Sequence, residues 1–127
     1  MSNFEKIYQR SVGFRSVSLP LKPLLKQFYC ALITRPINQP AIKRSIEALL
    51  LFLTTAQGRT DANVQAVSLF VSIDDDWEND WLELPPPLVE IISDIGGALH
   101  DSVSASDMAE EFDSTPEQLL QRIQRLP

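Results

Sequence analysis

A chain of 127 residues with 44% apolar and 22% charged side chains has the size and composition of one globular domain, too apolar to stay disordered. Its longest apolar run, from Ala48 to Leu53, falls far short of the roughly 20 residues of a membrane-spanning helix, and its single cysteine, Cys30, excludes an internal disulfide. The net charge of −6 divides unevenly, +7 over residues 1–44 and −13 over residues 45–127, which argues for a charged partner surface and against nucleic acid as that partner.

Taken in chain order, residues 1–19 read as a poorly defined arm. Phe4, Ile7 and Tyr8 suggest one helical turn, Val17 to Leu19 alternates like a short edge strand, and Gly13 loosens what precedes it. A helix is predicted over residues 21–34, with Leu21, Leu25, Phe28 and Leu32 on one face, and the Arg35-Pro36 step ends it. The next runs from Pro40 to Gln57, with Gly58 as a left-handed C-cap. Leu51 and Phe52 widen its apolar stripe nearly all round, which places it in the middle of the fold.

Residues 61–73 carry both patterns. Thr60 or Asp61 caps a helix bearing Val64, Val67 and Val71, yet Val67, Leu69, Val71 and Ile73 also alternate as a strand would. The cap and the length favour helix. The alternative is an α+β fold with a two-stranded pair from residues 12–19 and 66–73.

An acidic loop over residues 74–87 ends in three prolines, and a helix comes next over residues 87–102 with Leu88, Ile92, Ile95, Leu99 and Val103 in line. Gly96 and Gly97 inside it imply a kink or a closely packed neighbour. A short helix from Ser104 to Phe112 and a last one opened by Thr115, Pro116 and Gln118 complete the chain. The expectation is an all-α compact bundle of five to six helices, a single domain spanning residues 1–127.

Candidate chemistry is sparse. Cys30 and His100 are the only conventional nucleophile and base, and Cys30 sits in a helix where a small apolar role is the ordinary one. Glu90, Asp94 and Asp101 share a helix face, as a solvated face also would. The run from Asp74 lacks the glycine and the glutamate of a helix–loop–helix calcium site, having Asn79 and Pro85 in their places. The four glycines form no phosphate loop. No metal and no cofactor is therefore expected.

Residues 104–126 resemble the helix-turn-helix of bacterial DNA-binding regulators, with Ala109, Phe112 and Leu119 where that motif packs its helices. The resemblance implies a nucleic-acid-binding regulator presenting Gln118, Gln121, Arg122 and Arg125. Asp113 stands where the turn glycine belongs, and Arg122 occupies a position that is normally apolar.

The remaining feature is the acidic aromatic stretch. Asp74, Asp75, Asp76, Glu78, Asp80 and Glu83 surround Trp77 and Trp81 within ten residues. Tryptophan anchors many interfaces, and clustered acids accelerate encounter with a basic partner. The leading expectation is a non-enzymatic protein-interaction module of inhibitor, immunity-type, assembly or adaptor kind. Asp74, Asp75, Asp76, Glu78 and Asp80 would steer a basic protein partner, and Trp77, with Trp81, would anchor it. The setting expected is cytoplasmic, with no membrane contact and with opposed charges that permit a homo-oligomer.

Overall fold

The computed structural model describes residues 3–13, 16–34, 36–72, 84–96 and 115–126. They form six α-helices and, among the described residues, no strand. The helices are α1 (Asn3–Val12), α2 (Leu21–Ile33), α3 (Gln39–Leu53), α4 (Asp61–Ser72), α5 (Pro86–Gly96) and α6 (Pro116–Gln124). The expected all-α bundle is what the chain builds.

The helices close a ring. Going round it, α1 packs on α2, α2 on α3, α3 on α6, α6 on α5, α5 on α4, and α4 back on α1. Each helix thereby buries one stripe between two neighbours. From α2 that stripe supplies Leu25, Phe28 and Leu32, and from α3 it supplies Ile42, Ile46, Leu49, Leu50 and Leu53. Val67 and Phe70 of α4, Ile92 and Ile95 of α5, and Leu119 and Ile123 of α6 complete the interior. The spacings are those of helices burying one face.

At one end of the ring, the hydroxyl of Ser18 and the amide of Asn63 both donate to the Gln57 carbonyl, and the Arg59 guanidinium pairs with Glu117. At the other end, the Lys43 ammonium in the first turns of α3 donates to the Leu126 carbonyl after α6. Pro85 and Leu88, at the start of α5, lie beside them.

Several expectations are corrected. Residues 1–19 are not an irregular arm throughout, because Asn3–Val12 is a helix whose Phe4 and Ile7 enter the core. The Phe4 ring packs against Tyr8, Tyr29 and Phe70 at 5.7–5.8 Å between centroids. Gly13 does not loosen this helix but closes it: at φ 54° its N–H reaches the Gln9 carbonyl, the left-handed ending that glycine takes without strain.

The two-stranded alternative does not form either. Val12 ends α1, and residues 61–72 are helical with Val64, Val67, Phe70 and Val71 buried, a helical and not an alternating set. The Thr60 hydroxyl accepts the Asn63 N–H at 3.3 Å as a cap, and Ile73 lies outside the described residues.

α3 ends at Leu53 rather than Gln57, capped by Thr54, whose N–H reaches the Leu50 carbonyl. Nor is α3 central. The ring leaves it an outer face, on which Leu51 is 58% exposed and Phe52 half-buried.

Candidate functional site

The stretch that carries Asp74, Asp75, Asp76, Trp77, Glu78, Asp80, Trp81 and Glu83 lies outside the described residues. Its two attachments are described, and the core fixes both. Val71 is buried in the last turn of α4, and Leu84 is buried one residue before Pro85. The Pro85 carbonyl accepts the Leu88 and Val89 N–H groups and so begins α5. The next two residues, Pro86 and Pro87, have no N–H to leave unpaired in that first turn. The acidic aromatic stretch thus connects α4 to α5, two helices packed on each other, and binding residues are commonly carried on segments that join such rigid elements.

Beside its downstream attachment is an open groove of about 420 Å³. Gln39, Pro40, Lys43, Arg44 and Glu47 line it from α3, Pro85, Pro87 and Leu88 from the start of α5, and Leu126 from beyond α6. The three prolines give it rigid apolar walls without hydrogen-bond donors. Lys43 serves its structure: the ammonium donates to the Leu126 carbonyl at 2.8 Å and lies 3.9 Å from Glu47. Arg44 is exposed and has no carboxylate partner among the described residues. Sequence reading missed this groove. Its only local sign was proline at two helix starts, and the approach of Leu126 to both is tertiary.

Ion pairs among the described residues engage part of the basic first third. Lys22 pairs with Glu5 at 3.3 Å and lies 5.1 Å from the Tyr8 ring centroid, and Lys43 meets Glu47. Further along, Arg59 meets Glu117, and Arg122 meets Asp94 at 2.6 Å. Lys22 and Lys43 are therefore tied to acids within or just beyond their own third of the chain.

The other sequence candidates do not come together. Cys30 is exposed on α2, not tucked away as a small apolar side chain, and His100 lies outside the described residues. Glu90 is exposed, Asp94 is bound to Arg122, and Asp101 lies outside the described residues. No group of three or more possible metal ligands occurs among the described residues. The first helix of the expected helix-turn-helix lies outside them as well, while α6 is turned inward. Leu119 and Ile123 are buried, Gln118 closes a capping box with Thr115, and Arg122 bridges to α5. Gln121 and Arg125 remain exposed.

No described helix is long and apolar enough to cross a membrane. No protein-family model, curated protein or solved structure matches the chain.

Proposed function

We propose that the chain is a protein-interaction module, working by binding and not by catalysis, that presents its acidic tryptophan-bearing stretch to a basic partner protein. The observation that carries this reading is the density of six carboxylates around Trp77 and Trp81 within ten residues. Its mount supports the reading, because buried Val71 and Leu84 hold both ends of the stretch to the helical ring. The ion pairs of Lys22 with Glu5 and of Lys43 with Glu47 support it too, since they engage two cations of the basic first third with other acids. An inhibitor, an immunity-type factor, an assembly factor or an adaptor would all use such a surface, and a cytoplasmic setting fits the single unpaired cysteine.

The division of labour rests on electrostatics. Acids that remain solvated accelerate encounter and give salt sensitivity, whereas an indole buried in a partner's pocket slows dissociation. Trp77→Ala should therefore weaken the complex by about 2 kcal/mol or more. Changing Asp74, Asp75 and Asp76 to asparagine should mainly slow association at low salt. The test is capture of partners at low salt, with association kinetics then measured on these variants. Retention on immobilised DNA, with no basic protein captured, would replace this reading with the nucleic-acid one.

A further inference from the structure

The open groove between the starts of α3 and α5 carries a charge of its own. Two cations, Lys43 and Arg44, line it against one acid, Glu47. We propose that this groove is a second docking site, independent of the acidic stretch, whose occupant is an acidic peptide segment of a partner protein. A large apolar side chain of that segment sits between Pro40, Pro87, Leu88 and Leu126, and a neighbouring carboxylate pairs with Arg44.

The two cations differ in what they offer. The Lys43 ammonium is committed within the fold, donating to the Leu126 carbonyl at 2.8 Å and lying 3.9 Å from Glu47, the one acid of the lining. Arg44 is exposed and has no carboxylate partner among the described residues. Its planar guanidinium can therefore take an incoming carboxylate through two parallel N–H groups. α3 and α5 both begin at the groove, so their positive dipole ends add to the same sign.

Shape complements charge. The cavity, about 420 Å³, has room for one aromatic or large aliphatic side chain and its flanking backbone. Pro40, Pro85 and Pro87 have fixed φ and lack N–H groups, so the walls favour apolar contact over strand pairing. A small ligand is commonly enclosed over most of its surface, whereas this groove is open, which suits a chain segment passing across it. Charge complementarity with the lining itself commits that segment to an acidic one.

The probe is a blocked synthetic peptide, Glu-Glu-Phe-Leu-Glu-Glu, titrated into the isotope-labelled full chain while amide signals are tracked. About 0.15 M salt screens the chain's net charge of −6 beyond about 8 Å and leaves a contact ion pair in place. The expected result is shifts at Gln39, Arg44, Leu88 and Leu126. Replacing the four glutamates of the peptide by glutamine should weaken binding about fivefold, and Arg44→Glu should weaken it about tenfold. Gln39→Trp, at an exposed first-turn position, should fill the groove and also cost about tenfold. Far-ultraviolet circular dichroism checks that each variant keeps its helices. Equal or tighter binding of Lys-Lys-Phe-Leu-Lys-Lys, unchanged affinity in Arg44→Glu, or no shift at these amides would overturn the proposal. So would equally strong binding of 4-phenylbutyrate, which would make the groove a small-molecule site. Shifts at the same amides on raising the chain's own concentration would make the occupant a second copy and overturn it too. None of these outcomes bears on the acidic stretch, whose partner is tested separately.

Discussion

The carboxamide of Asn63, fully buried, holds three segments together. Its oxygen accepts the Ser18 N–H at 2.9 Å, and its nitrogen donates to the Ser18 hydroxyl at 2.9 Å and to the Gln57 carbonyl at 3.2 Å. Asn63→Ala strands these groups, and should cost about 1–3 kcal/mol, read as a lower urea midpoint at unchanged slope. An unchanged midpoint would mean that water replaces the amide in full. Gly58 poses a steric version of the same problem. A Cβ there would stand 1.9 Å from the Phe52 carbonyl oxygen and 2.7 Å from its carbon, both backbone atoms. Gly→Ala commonly gains about 0.4–1 kcal/mol through the unfolded state, but overpacking costs about 1–3 kcal/mol, so Gly58→Ala should lower stability in the same assay. The sequence suggested glycine here for a left-handed cap. The need is instead close approach to the end of α3, which no local pattern reveals.

At the scale of elements, legibility tracked the start and stop signals. α6 carries a complete one: the Thr115 hydroxyl accepts the Gln118 N–H, Gln118 reaches back to the Thr115 N–H, and Pro116 fills the first turn. Thr115→Ala should accordingly cost about 1 kcal/mol, measured by the same unfolding assay. α1 offers the same spacing in Ser2 and Glu5, but the apolar pattern behind it, Phe4, Ile7 and Tyr8, is short. Its evident marker, Gly13, reads equally well as a breaker or as a terminus. Packing decides between them, since Phe4 meets rings from α2 and α4. Phe4→Ala should cost about 3–5 kcal/mol, whereas a residue of a loose arm would cost almost nothing. For α4 the two periodicities tied, the cap and the length favoured helix, and the burial of Phe70 beside Val67 agrees with that choice. The acidic stretch was legible as composition alone. The groove beside it was not, because Leu126, Pro40 and Leu88 meet only after three helices have packed.

The whole molecule adds a constraint that no single helix carries. Each described helix has at least two packed neighbours among the described ones, so releasing any one exposes stripes on both. Leu50 of α3 and Ile92 of α5 are both fully buried, and neither can be hydrated by fraying at an end of the chain. Local opening of α1 or α6 would cost two interfaces, and global unfolding gains correspondingly more conformational entropy per interface lost. The slowest amides of all six helices should therefore exchange with solvent only by global unfolding, with free energies within roughly 1 kcal/mol of one another. Native-state hydrogen exchange on Ile7, Phe28, Leu50, Phe70, Ile92 and Ile123 tests this helix by helix. A lower value for Ile7 alone would show the ring opening at α1, leaving the other described helices as the cooperative unit. Equal values would make the described helices one cooperative unit, in which α4 and α5 are held as firmly as the helices they pack against.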